Sequence, residues 1–397
     1  MNAGAPTVAT PGPGRWLFSA RLDLAVFALP AAIALAVVAL APALALPADT
    51  PDAAWIALVL MVDVAHVWST AFVTYLDPAE LRRRPALYAA VPLAGYAAGV
   101  AVHALGGAAL FWRVLAYLAV FHFVRQQYGW VALYRARAGE RDRAGAIVDG
   151  LTIYAATLYP LLWWHAAPER SFAWFRPGDF AAGLPAAVAS VAGALYLAIL
   201  ATYVVRAALD ARRRPVAWGK HLVVATTAAC WYTGIVATDG DLTFTVTNVL
   251  IHGVPYAALV FVYGRAVAAA DPVTAAGPGA RLLARGALVF AATLWAVAYL
   301  EELLWDRAVW HDRPHLFGGD LGLDHAHAFI VPLLAVPQLT HYVLDGFLWR
   351  RGQNPRLALW FRGGAPARPG TPPRPGAPSG RGAPSGPDAP PGSAGPP

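Results

Sequence analysis

LAVFALPAAIALAVVALAPALAL, residues 24–46, carries no charged side chain from end to end. A hydrocarbon core takes roughly 20 helical residues to cross, and this run is long enough. Nine more apolar runs follow, near 54–76, 86–106, 109–134, 147–167, 184–206, 217–237, 242–264, 281–304 and 326–349. They predict an all-α polytopic membrane bundle of about ten spans. Composition agrees. Hydrophobic residues make up 58% of the 397 and charged residues only 13%, against about 25% charged in an ordinary soluble domain. The mean hydropathy is +0.48, so the surplus apolar surface needs a bilayer as its partner.

Loop charges give an independent reading of the topology. Arg82, Arg83 and Arg84 follow the second run, and Arg135, Arg137, Arg141 and Arg143 follow the fourth. Arg212, Arg213, Arg214 and Lys220 follow the sixth, Arg265, Arg281 and Arg285 the eighth, and Arg350, Arg351 and Arg356 the tenth. Positive residues gather on the cytoplasmic side, so this alternation predicts both ends inside and a place in the inner (plasma) membrane. Two long outer loops, 166–183 and 305–325, balance their arginines with acids and could fold over an external entrance.

Outside the runs, residues 1–14 and 363–397 are rich in Gly, Ala and Pro and are expected to be disordered, the latter as a cytoplasmic tail. That leaves 15–362 as the transmembrane domain. The first run lacks a clear cleavage site, so no cleavable signal peptide is expected. The net charge of +7 falls in topology-setting clusters and forms no nucleic-acid module, so no nucleic-acid partner is expected. Cys230 stands alone, which excludes an intramolecular disulfide and any multi-cysteine metal site.

Ionisable groups at membrane depth are costly and usually mark function. Four runs hold them. MVDVAHVWST (61–70) gives Asp63 and His66, and AVFHFVRQQYGW (119–130) gives His122, Arg125, Gln126 and Gln127. TVTNVLIHGVPY (245–256) gives Asn248 and His252, and PQLTHYVLDGFLW (337–349) gives His341 and Asp345. Residues three or four apart share a helix face, so each histidine has a polar companion on its own stripe. All four helices are expected to run inward with their histidines at similar depth, so the rings can converge. Neutral imidazole binds iron, zinc, copper and nickel, and a bound imidazole needs an acceptor to fix its tautomer. The expected metal ligands are therefore His66, His122, His252 and His341, with Asp63 or Asp345 as ligand or orienter and Gln126 and Asn248 as supports. Arg125 needs an anion, from Asp63, Asp345 or an acidic substrate group.

The remaining polar groups carry weaker signals. His103, His165 and His221 sit near helix ends. WHDRPHLFGGDLGLDHAH (310–327) could bind a metal externally through His311, His315, His325 and His327 with Asp312, Asp320 and Asp324, although Pro314 breaks the helix that would align them. Glu301 and Glu302 close the ninth run, where one could reach the cluster.

Four intramembrane histidines on separate helices, with His122-Phe123, His252-Gly253 and His341 as the echoing islands, resemble the bacterial membrane-embedded beta-carotene central-cleavage dioxygenases. That resemblance implies a multi-pass fold and a histidine-held iron. The di-iron desaturases fit less well, since no HxxHH box occurs. The leading expectation is a non-haem iron oxygenase or related oxidoreductase acting on a lipid-soluble substrate, with Trp68, Trp130 and Tyr342 available to line its path. Zinc, copper and haem stay open as cofactors. A haem b membrane protein is one alternative. Another is a transporter or proton-coupled carrier using the same polar cluster as relay and substrate site.

Overall fold

The computed structural model describes residues 16–167, 169–350 and 352–362; both expected terminal tails lie outside them. The described chain is helical, without a strand. Eight helices are long and apolar enough to cross a membrane. They are α1 (Ala20–Leu40), α2 (Asp52–Phe72), α3 (Pro85–Ala138), α4 (Arg143–Ala166), α5 (Ala186–Ala211), α7 (Asp241–Ala270), α8 (Ala287–Trp310) and α9 (Asp324–Leu348). Between α5 and α7 lies α6 (Trp218–Trp231), continued in wider π-type turns over Tyr232–Ala237.

The 54 residues of α3 would reach about 81 Å if straight, far more than one crossing. They are not straight. Gly106 leaves helical geometry and Gly107 takes φ +67°, a left-handed value that glycine adopts freely. The chain folds back there, so that Gly99 meets the ring of Phe111, a residue about 18 Å away along an unbroken helix. The two sequence runs 86–106 and 109–134 are thus the two limbs of a helical hairpin. Gly99 also meets Pro332 of α9, and Gly95 meets Leu339, which seats the first limb against the last long helix.

Burial orders the bundle. In its most apolar window α7 is 61% buried and α5 only 11%, so α7 is the central post and α5 a peripheral helix. The α5 helix is held to α4 by the stacked rings of Tyr159 and Tyr196, 5.2 Å apart. Around α7 the main core gathers Trp130, Tyr134, Tyr256, Leu259, Tyr263 and Leu344. Pro255 interrupts α7 and has no N–H to give, which frees the carbonyl of Ile251.

Two charged networks tie down the ends of the helices. Arg135 pairs with Glu140 and Asp149, and Lys220 pairs with the same two carboxylates at 2.7 and 3.0 Å. Arg356 reaches Asp77 at 2.8 Å, Glu80 at 3.2 Å and Asp271 at 3.5 Å, drawing residues 352–362 against the turns that follow α2 and α7. The 166–183 loop sinks into the protein: Phe172 and Phe180 are buried against Trp164, and Arg170 pairs with Asp239. The 305–325 loop is pinned by Arg313 on Asp52 at 3.1 Å.

Candidate metal centre

The four histidines meet. His66 on α2, His122 on the second limb of α3, His252 on α7 and His341 on α9 are all buried, none more than 4% exposed. One ring nitrogen from each lies within 4.8 Å of the other three. Their rings form a closed circuit, with centroids 4.5 Å apart for His66–His252, 5.1 Å for His252–His122, 4.6 Å for His122–His341 and 5.0 Å for His341–His66. At metal–nitrogen bonds of about 2.0–2.1 Å, two ligands on one ion lie at most about 4.2 Å apart. The cluster therefore needs only a modest contraction, on the order of 1 Å, to become a coordination sphere.

Hydrogen bonds decide which nitrogens face inward. His66 Nδ1 donates to the carbonyl of Val62, one turn back, at 3.3 Å, which leaves Nε2 as a lone pair; that atom is buried without a partner. His341 is fixed by a longer chain. The Tyr256 hydroxyl donates to Asp345 Oδ1, so its oxygen accepts from Thr70 at 2.9 Å. Thr70 Oγ1 in turn accepts from His341 Nδ1 at 2.8 Å. His341 Nε2 is then the unprotonated atom, and it lies 3.1 Å from His122 Nε2. His122 turns its Nδ1 toward Asp345 Oδ2, 3.9 Å away. His252 has no hydrogen-bond partner on either nitrogen and lies flat on Phe123, centroids 3.5 Å apart. An unpaired buried polar atom costs about 1–3 kcal/mol, and this cluster holds three such nitrogens, on His66 and His252. A metal ion would take up His66 Nε2 and one of the two His252 nitrogens, since each ring offers it one ligand atom. The donor set fits one.

The backbone is shaped for this convergence. The α2 helix winds in π-type turns over Ile56–Val64 and regains α geometry at Ala65, one residue before His66; such bulges are frequent at functional sites. Gly253 lets α7 press on α2, since a Cβ there would stand 2.7 Å from Val62 Cγ1 and 3.0 Å from the Val62 carbonyl. The carbonyls loosened around Pro255 are taken up by α3. Gln126 Nε2 donates to the His252 carbonyl at 2.8 Å, and Gln127 Nε2 donates to that of Ile251 at 3.4 Å.

The supporting residues are partly those the sequence suggested. Asp345 orients His341 through Tyr256 and Thr70, and it accepts from Trp349 Nε1 at 3.3 Å. Asp63 Oδ1 stands 3.8 Å from His66 Nδ1, with its side chain 30% exposed. Neither carboxylate belongs to the compact ligand group. Asn248 donates to the carbonyl of Phe244 on its own helix at 2.9 Å instead of to a histidine ring, and Gln126 holds the backbone of His252. Of the anions expected for Arg125, neither Asp63 nor Asp345 pairs with it among the described residues, and it bonds the Tyr154 hydroxyl. Of the aromatics, Tyr342 stacks on His122 at 4.5 Å, Trp68 donates to Glu301 and Trp130 is core. Thr70 and Tyr256 were overlooked, although each follows a cluster histidine by four residues on the same stripe.

The outer histidines do not gather into one group, although His311 and His327 both approach Asp324 Oδ1, at 4.0 and 3.3 Å. His311 lies 3.8 Å from Asp320, His315 2.9 Å from Asp52 and His327 3.3 Å from Asp324. Among the described residues, His66, His122, His252 and His341 are the one group of three or more ligand-type side chains close enough to hold an ion.

Fold and site together define a helical protein with membrane-spanning character and a buried four-histidine cluster able to bind a metal. Compared with protein-family models, curated proteins and solved structures, the chain matches none.

Proposed function

We propose that this is a ten-span inner-membrane metalloprotein, both ends cytoplasmic, that uses iron at the four-histidine cluster for oxidoreductase chemistry on a lipid-soluble substrate. Counting the limbs of α3 separately, and adding α6 with its continuation, supports ten crossings. The observation that carries the metal reading is the set of unpartnered nitrogens on His66 and His252 inside a ring of four imidazoles. Compactness favours a bare ion over haem, because four rings this close leave no room for a macrocycle between them. Imidazoles with only orienting carboxylates leave coordination positions for another ligand, and iron so held supplies redox chemistry with dioxygen. The resemblance to membrane carotene dioxygenases points the same way.

Access supports the substrate class. A cavity of about 810 Å³, lined by Val62, His66, Gly253, Ala257, Phe261 and Trp295 among others, runs from the cluster's edge toward Phe18 and Trp360. Its size falls within the roughly 300–1,000 Å³ of small-molecule sites. The His341–Thr70–Tyr256–Asp345 chain holds a proton on Nδ1 and keeps Nε2 available, so these residues would orient a ligand without joining the reaction.

Metal analysis of the purified protein, with absorbance and electron paramagnetic spectra, tests the proposal. Wild type and the exposed-site control His325→Ala should hold about one iron per chain, while His252→Ala, still helical by circular dichroism, should hold almost none. Stoichiometric zinc in place of iron would keep the metal centre and sink the redox assignment. No stoichiometric metal of any kind would sink both.

A further inference from the structure

The oxidoreductase reading leaves Arg125 unexplained. It lies three residues past His122, within about 4.5 Å of its level along the helix, deep among apolar residues where a cation is costly. Arg84 and Arg137 bond backbone carbonyls, and several other arginines at helix ends have carboxylates: Arg135 has Glu140 and Asp149, Arg206 has Asp142, and Arg356 has Asp77 and Glu80. Among the described residues Arg125 has none. It rests instead on a platform of two tyrosines. Its guanidinium lies 5.0 Å over the Tyr128 ring, Tyr128 stacks on Tyr154 at 5.4 Å, and the Tyr154 hydroxyl accepts from Nη1. A guanidinium carries five N–H donors in a fixed fork. This arrangement fixes its position and leaves donors over.

Those donors border a groove. A depression of about 750 Å³ runs between the second limb of α3 and α4, and both Arg125 and Arg350 line it without any acidic residue. Arg350 also has no carboxylate partner among the described residues. The rest of the lining is apolar, and Phe121, Leu158 and Leu162 are 64%, 45% and 36% exposed, so its open side is the greasy surface that a bilayer would cover. At the far end His165 donates from Nδ1 to the Leu161 carbonyl and accepts from Tyr117, closing the groove beneath Phe180. The groove is positive at one end, apolar along its length and open to lipid.

We infer that this groove binds a single anionic amphiphile, with its oxyanion on Arg125 and Arg350 and its hydrocarbon chain laid along Phe121, Val124, Leu158 and Leu162 toward His165. The recognised group is a carboxylate or a phosphate, either of which a guanidinium fork can grip in bidentate fashion. The site is separate from the histidine cluster: the groove's lining includes none of the four imidazoles.

Native mass spectrometry of the full chain in a neutral detergent tests this with four added probes. Oleate is set against oleyl alcohol, and dioleoyl phosphatidate against dioleoylglycerol. At least one anionic probe should bind about tenfold or more tighter than its neutral counterpart, the value of a charge-assisted hydrogen bond. Whichever acid is preferred identifies the source, fatty acid or phospholipid. Arg125→Gln should bring the pair to within about twofold, and Arg125→Lys should retain part of the preference. Metal content should not change in either, which separates this test from that of the iron centre. Should Arg125→Gln fail to fold, Leu158→Trp fills the groove with the charges intact and should abolish binding of the preferred acid. Equal binding of acid and neutral probe by wild type overturns the inference, as does an undiminished preference in Arg125→Gln or Leu158→Trp.

Discussion

The histidine cluster and the Arg135–Glu140–Asp149–Lys220 network are both polar groups buried in an apolar bundle, yet they meet the cost of burial in opposite ways. In the network each cation touches both carboxylates, and nothing is left over. In the cluster His66 Nε2 and both nitrogens of His252 have no partner. The first arrangement is complete within the chain and explains itself as architecture, clamping the start of α4 and α6 to the end of α3. The second leaves ligand atoms open, which a metal ion could use.

Breaking the complete region should cost the most stability. Lys220→Met leaves Glu140 and Asp149 facing a single guanidinium, and thermal unfolding in detergent should show a loss of about 3 kcal/mol. Metal content of the folded fraction should be unchanged; a drop in metal would mean that the two regions are coupled. Gly253→Ala attacks the incomplete region through its backbone. The new methyl meets Val62 Cγ1 at 2.7 Å, so overpacking of roughly 1–3 kcal/mol is expected, together with weaker metal binding, because Val62 carries the acceptor for His66. Melting with unaltered metal affinity would show that the Val62 contact does not position the ring.

Thr70→Val removes the acceptor of His341 Nδ1 together with the donor to the Tyr256 hydroxyl. Loss of such an orienting partner typically weakens metal binding about 10–100-fold, and Thr70→Ser should restore it; a competitive chelator titration reads both. The smallest effect belongs to Asp142. The Arg206 guanidinium beside it, with the Gly145 amide, holds its carboxyl at about 2, below the ordinary 3.8. A carboxyl lowered on folding contributes stability above about pH 4, and this is lost as pH falls through 2. Asp142 is 41% exposed, so the gain of wild type over Asp142→Asn should stay under about 1 kcal/mol. It should be present at pH 5 and mostly lost by pH 2, and melting curves at the two values would reveal any reversal.

Much of this was legible because membrane helices announce themselves by length and apolarity. Each of the ten runs overlaps a helix, eight helices are long and apolar enough to cross a membrane, and the pair at 86–106 and 109–134 falls on the two limbs of one helical hairpin. The four histidines were legible for the same reason, as costly side chains in places that otherwise exclude them. Their supports were not. The three-or-four spacing identifies residues on one face of one helix, whereas the partners of His341 come from α2 and α7, through Thr70 and Tyr256. Hydroxyls draw no notice in apolar helices because they can bond their own backbone, as Thr74 does with Thr70. Asn248 illustrates the converse: correctly spaced from His252, it spends its amide on Phe244. Of the anions expected for Arg125, neither Asp63 nor Asp345 pairs with it among the described residues; a pair of stacked tyrosines seats it instead.

Phe18 and Trp360 stand 5.9 Å apart in the lining of the cavity that also takes in His66. They arrive from opposite extremes of the described chain, so this part of the cavity wall is built from the two stretches that recombinant expression most often alters. Affinity handles, fusion partners or trimmed ends placed beside either ring would act as obstructions or as wedges. Preparations differing only in their appendages can therefore differ in how readily a hydrophobic guest gets in, with the histidines untouched.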